Sequence, residues 1–238
     1  MTDVSDLPGR RVVVAGATSE SGAAVCAALV AGGATVLGIG SSAEKLAALA
    51  ARVPGVETVV CDLSDSAAVD ELAGALTTAG GVDGLVHLVG GWVGGRGIPG
   101  QTDEAWAAME RGFRTLRNTT RAFYPALVAS PAGRVAFVSS ASVDAPTASG
   151  ASYTASKAAS ESWMRSVAQG FRADQGGDAR AAAVVFVVTA LVDESMRAAA
   201  PEKSFDGFTD VGVLAGAVVE LWSGERDAGG LNGSRIRL

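Results

Sequence analysis

The strongest constraint on the fold is a rhythm of short apolar runs: RVVVA (11–15), ATVLGI (34–39), VETVV (56–60), GLVHLV (84–89), RVAFVS (134–139), AAVVFVV (182–188) and SRIRL (234–238). Most are too short for a buried helix and too continuously apolar for a strand with one wet face, so they read as strands covered on both sides. Between them lie longer helix-like stretches near 20–31, 43–52, 66–79, 103–129, 152–174 and 210–223. Strands alternating with helices predict a parallel sheet sandwiched between helical layers, a doubly wound Rossmann-like α/β fold of about seven strands. The patterning is even throughout, so residues 1–238 are expected to form one domain rather than two small ones.

Composition narrows the partners. Nineteen basic and twenty-five acidic side chains give a net charge of -6, which argues against nucleic acid or an anionic membrane. No run of about 18 apolar residues is present, and the start, MTDVSDLPGR, has no signal-like apolar segment, so a cytoplasmic location is expected. Cys26 and Cys61 are the two cysteines and His87 is the single histidine. Neither a disulfide framework nor a metal site is expected, and both thiols read as reduced core residues.

In such a sheet the ligand crevice opens beyond the carboxyl ends of the strands, so the informative residues follow each run. After the first comes GATSESG, residues 16–22, a glycine turn entering an Ala-rich helix where a dinucleotide pyrophosphate would sit. After the fourth comes GGWVGGRGIPGQ, 90–101, which reads as an active-site loop. After the fifth, Ser140 lies thirteen residues before Tyr153, and Tyr153 lies four before Lys157. A spacing of four puts phenol and ammonium on one helical face, where the cation favours phenolate and makes tyrosine a usable proton donor. Ser140 could share a substrate oxygen with Tyr153 and stabilise charge building there.

With YxxxK at 153–157, the serine thirteen before it, the glycine turn and CDLSD at 61–65 in this order, the chain resembles the short-chain dehydrogenase/reductase family over essentially its full length. The resemblance implies NAD or NADP as cofactor, Tyr153 as acid/base, Lys157 on the nicotinamide ribose and Ser140 orienting substrate. It places Gly16, Thr18, Ser19, Glu20 and Gly22 at the pyrophosphate turn. Asp62 and Leu63 would lie at the adenine, with Gly90 and Thr189 lining the nicotinamide end. It also implies a homodimer or homotetramer, since helix 103–129 is a subunit interface in most members.

The departures are specific. Glu20 replaces the middle glycine of the turn, and a carboxylate about 5 Å from a phosphate would oppose binding by on the order of 3 kcal/mol, unless it faces outward from the first helical turn or accepts hydrogen bonds from the adenosine ribose. The outward, capping-like orientation is the expectation. His87-Leu88-Val89-Gly90 replaces the usual Asn-Asn-Ala-Gly, with His87 read as a hydrogen-bonded core residue. Gly112 stands where the family carries a catalytic asparagine, and Thr189-Ala190 replaces Pro-Gly. Ser41 and Ser42 follow the second strand, offering neither an acid for a ribose nor an arginine for a 2′-phosphate, which leaves NAD against NADP open with a lean toward phosphate tolerance.

The stretches LVGGWVGG at 88–95 and 188–210 are similar to the corresponding regions of quinonoid dihydropteridine reductases, which generally lack the serine that this chain keeps. Trp92 would then offer a flat face to a planar substrate, or merely plug a glycine-rich loop. The sequence thus supports an NAD(P)-dependent oxidoreductase reducing a carbonyl or conjugated C=N group of a small molecule. A non-redox dehydratase, isomerase or cyclase using Tyr153 and Ser140 for proton chemistry is the alternative, followed by a non-catalytic ligand-binding subunit.

Overall fold

The computed structural model describes residues 7–177, 180–223 and 227–238. In chain order its elements are β1 (Arg11–Ala15), α1 (Glu20–Ala31), β2 (Thr35–Gly40), α2 (Ala43–Arg52), β3 (Val56–Val60), α3 (Ser66–Thr78), β4 (Gly84–His87), α4 (Asp103–Ala129) and β5 (Arg134–Ser140). There follow α5 (Ala151–Asp174), β6 (Ala182–Val188), β7 (Leu191–Val192), α6 (Glu194–Ala199), β8 (Thr209–Asp210), α7 (Val211–Val219), α8 (Ala228–Leu231) and β9 (Arg235–Arg237). A seven-stranded sheet runs β3-β2-β1-β4-β5-β6-β9, with every neighbouring pair parallel. Because β1 feeds β2 on one side and adjoins β4 on the other, the strand order reverses at β1, and a crevice opens there.

The two-residue period of the buried strands sorts their side chains onto two cores. Val12, Val14, Val36, Val86 and Phe186 pack with Val25 and Leu29 of α1, Leu46 of α2 and Leu214 of α7. Val13, Leu37, Leu85, Val135 and Val187 pack with Val69 of α3, Leu116 and Phe123 of α4, and Met164 and Phe171 of α5. Each such side chain, once fully buried, contributes about 1.5–3 kcal/mol. Cys26 and Cys61 are free and buried, and burial pushes the Cys26 thiol up to about 12.

Helix starts follow side-chain caps: Ser19 accepts from Gly22 N, Ser42 from Lys45 N, Asp65 from Ala67 N and Thr102 from Ala105 N. The sequence expectation differs from the fold in several places, including the short helices α6 and α8, which it did not contain. β4 stops at His87 rather than 89 because its partner β1 ends at Ala15, where Gly16 turns away; the bond from Leu88 N to Ala15 O is the last of that ladder. The last predicted helix ends at Val219 and finishes as a 3-10 turn over Glu220–Trp222. The short strands β7 and β8 pair in parallel and close the excursion 193–208 between them. Among the described residues no helix is long and apolar enough to cross a membrane.

Candidate active site

The glycine turn is built by close approach. Gly16 has φ +83, and a Cβ there would lie 2.9 Å from the backbone of Leu88 and Val89. A Cβ on Gly22 would strike the Gly16 carbonyl and come within 2.7 Å of Ala17 Cα. Ser19 locks the turn by donating its hydroxyl to Gly16 O at 2.9 Å while accepting from Gly22 N at 3.0 Å. Glu20, the first residue of α1, turns away: its carboxylate oxygens lie 2.9 and 3.0 Å from Arg52 Nη1 at the end of α2. The expected outward orientation is therefore what the fold adopts, with Arg52 as the partner and Ser19 as the cap.

A cleft of about 630 Å³ opens along the ends of β1, β4, β5 and β6. Of the sequence-predicted residues, Ser19, Gly90, Trp92, Ser140, Tyr153, Lys157 and Thr189 line it. Ser140, Tyr153 and Lys157 come together because β5 ends at Ser140 and α5 begins at Ala151 beside it. Ser142 donates its backbone N–H and its hydroxyl to Ser140 Oγ, at 3.2 and 3.0 Å, and Thr154 donates to Ser142 Oγ at 3.2 Å. The Tyr153 phenol lines the same cleft as Ser140. The donors thus run in one direction, Thr154 to Ser142 to Ser140.

Burial pushes the Tyr153 phenol above its ordinary value, and the nearby Ser140 hydroxyl partly opposes that rise. The Lys157 ammonium stands 5.7 Å from the tyrosine ring centroid and donates to Val138 O at 2.8 Å. Desolvation lowers Lys157 to about 8, against an opposing push from Glu161. At neutral pH it stays an ammonium, and its bond to Val138 leaves two N–H donors over.

Below the lysine lies His87, 1% exposed. Thr115 spends its hydroxyl proton on Gly112 O at 2.9 Å, so in the 3.1 Å contact between Thr115 Oγ1 and His87 Nε2 the imidazole is the donor. Nδ1 is then a bare acceptor, buried and without a partner. Desolvation and the Lys157 charge drive the His87 pKa to about 3, so the ring is neutral. Nothing lies within 4 Å of where a Cβ would stand on Gly112, which borders a cavity of about 20 Å³ shared with Tyr153, Ser156, Lys157 and Ser160. That is room for one water in the region an asparagine would otherwise reach.

The 90–101 loop is tied to the start of α5. Gly95 N donates to Ser149 O at 2.8 Å, Gln101 Nε2 donates to Ala148 O and Ser149 O, and Ser152 N donates to Gln101 Oε1. Trp92, 67% exposed, lines the cleft with its indole against Gly94.

The remaining predicted residues lie outside the cleft lining. Thr18 Cγ2 would be 3.0 Å from a Cβ on Gly40, Ser41 is exposed, and Ser42 is spent on its cap. Asp62 accepts from Ser64 N and Oγ, which holds its carboxyl below the usual range. The Leu63 carbonyl accepts from the buried Asn118 at 3.1 Å. Ser142, Thr154, Gln101 and Asn118 escaped the sequence reading, since hydroxyls and amides of this kind carry no spacing signal.

Similarity to known proteins agrees with this geometry. A family model described as short chain dehydrogenase matches residues 10–204. L-xylulose reductase of Mesocricetus auratus is 41% identical over 81 residues, 34% of this chain and 32% of that relative, so the match spans about a third of its length. A chain from Pseudomonas syringae assigned to the short-chain dehydrogenases superposes with TM-score 0.85 at 23% identity, covering 100% of this chain and 97% of that one. An NADPH-bound short-chain oxidoreductase of Pseudomonas aeruginosa PAO1, described as having an atypical catalytic center, gives TM-score 0.82 at 23% identity over 96% and 95% of the chains. With the family model matching most of its length, this chain belongs to the short-chain dehydrogenase family.

Proposed function

We propose that residues 1–238 form one dinucleotide-binding unit acting as an NAD(P)-dependent oxidoreductase that reduces a carbonyl or conjugated C=N group. The observation that carries this reading is the one-way donor line from Thr154 through Ser142 to Ser140, set beside Tyr153 and the Lys157 ammonium in one cleft. A dinucleotide suits the residues present: the turn at Gly16 and Gly22 admits no side chain, and Glu20 is neutralised by Arg52. When bound, the nicotinamide supplies the hydride. Lys157 offers its two free N–H donors to the ribose side, while Tyr153 delivers a proton to the substrate atom that gains charge. Ser140, accepting from Ser142, offers its own hydroxyl proton to that same atom.

Trp92 supports a planar substrate, and the name of the L-xylulose reductase relative supports carbonyl reduction. NADP or NAD serves as cofactor, and the exposed Ser41 after β2 would be compatible with a 2′-phosphate. The exposed Trp106 on α4 suits a homodimer or homotetramer. The non-redox alternative keeps Gly112 and Thr189-Ala190 in its favour but loses Glu20, whose charge faces Arg52.

Fluorescence titration with NADPH and NADH tests the reading, followed by Tyr153→Phe in a reductase assay. Binding of either cofactor in the micromolar range, with turnover lost in the variant and binding retained, is the expected result. No binding of either cofactor would favour the proton-transfer alternative.

A further inference from the structure

One helical turn beyond Lys157, on the same face of α5, stands a buried carboxylate. Glu161 is 4% exposed. A charge so poorly hydrated needs partners, and it has two, one from β5 and one from β9. Ser139 Oγ, at the end of β5, donates to Oε1 at 2.6 Å, and Arg235 Nε, on β9, lies 3.1 Å from Oε2 and 3.3 Å from Oε1. Arg235 also reaches Asp144 Oδ2 at 2.9 Å, in the turn after β5. Neither Glu161 nor Arg235 lines the cleft, whereas Ser139 and Lys157 do.

We propose that Glu161 is a positioning residue for Lys157 and Ser140: clamped by Ser139 and Arg235, its carboxylate keeps the neighbouring ammonium charged and holds the strand end that carries Ser140. The proposal rests on the reading of Lys157 as the cation facing the cofactor. The groups around the lysine make the sign clear. On its own helix stand Tyr153 and Glu161, on β4 the neutral His87, and on β5 the Phe137 ring at 4.6 Å and the Val138 carbonyl. Glu161 is the one carboxylate in that set. Burial alone drives the ammonium toward the free amine, and Glu161 opposes it. A lysine that lost its proton would still hydrogen-bond but would no longer attract a phenolate or an anionic cofactor.

The chain has three lysines, Lys45, Lys157 and Lys203, so ¹³Cε-lysine labelling resolves each side chain by NMR, with Lys157 assigned through Lys45→Arg and Lys203→Arg. In the full chain Lys157 is expected to titrate near pH 8. In Glu161→Gln, which keeps the acceptor for Ser139 but not the charge, it should titrate about one pH unit lower. In Arg235→Gln it should titrate higher, because Glu161 is then no longer shared with a second cation. Opposite shifts from the two variants are something that loosened packing alone would not produce, and Arg235→Gln still reads the coupling if Glu161→Gln folds poorly. Unchanged titration in both variants, or shifts of one sign, overturns the proposal. NADPH titration of the unaltered chain is read separately: absent binding removes the functional reading while the lysine titration still decides whether Glu161 controls its charge.

Discussion

Ser142 donates its hydroxyl to Ser140 at 3.0 Å, and that single orientation decides what Ser140 can do. With both its N–H and O–H directed at Ser140 Oγ, Ser142 occupies the acceptor side of that oxygen, leaving the Ser140 proton free to point at Tyr153 or at an incoming substrate atom. The serine that aligns with the family motif is therefore oriented by a neighbour two residues on.

Ser142→Ala should lower kcat/KM about two- to tenfold, the effect of one net hydrogen bond, with NADPH affinity unchanged. Ser140→Ala should cost about a hundredfold, since it removes a donor aimed at the developing charge. Steady-state kinetics with any accepted carbonyl substrate provides the comparison. Equal losses in the two variants would show that Ser142 acts on more than the orientation of Ser140.

Glu20→Gly restores the family's middle glycine yet should change the NADPH Kd by no more than about fivefold, because what it removes is an exposed ion pair with Arg52. A gain of a hundredfold in a fluorescence titration would mean that the carboxylate turns toward the pyrophosphate when the cofactor enters.

His87 links stability to pH. Its ring stays neutral in the fold down to about 3, whereas the unfolded chain takes up the proton near 6.5. Stability is thus complete above 6.5 and falls as pH drops through that value toward 3. Between pH 7.5 and 5 this amounts to about 2 kcal/mol. Urea unfolding at the two values should show that loss in the native chain, and a loss smaller by that amount in His87→Asn.

Lys157→Met should remove cofactor binding and raise stability by about 1 kcal/mol, as substitutions that relieve an unfavourable functional group do. A folded pKa near 8 against an unfolded 10.5 means that the protonated lysine is disfavoured by the fold, and the penalty is relieved as pH rises through that window. Thermal melts at pH 7 provide the measurement, and a lowered Tm would show that the bond to Val138 O outweighs the desolvation.

Much of this was legible in the chain because it depends on neighbours in sequence. β1, β3, β6, α1, α2 and α4 fall within the residues that apolar runs and capping Ser, Asp and Thr mark out. Likewise the spacing of Ser140, Tyr153 and Lys157 follows from one strand end and one helical turn. What stayed hidden depends on distant partners. The direction of Glu20 is set by Arg52, 32 residues away, and the meaning of Glu161 by Arg235, 74 residues away. β7 and β8 hold two residues each, below any periodic signal, and exist because tertiary folding lays Leu191 beside Thr209.

That last pairing also makes the excursion 193–208 a cassette. Its ends leave and re-enter through hydrogen-bonded neighbours, with Thr209 N on Ala190 O at 2.8 Å, so its length is decoupled from the register of the main sheet. Doubling such a loop adds only about 0.6 kcal/mol of closure entropy. Lineages or engineers could therefore exchange this stretch wholesale, retargeting the molecule while Ser140, Tyr153 and Lys157 keep their places.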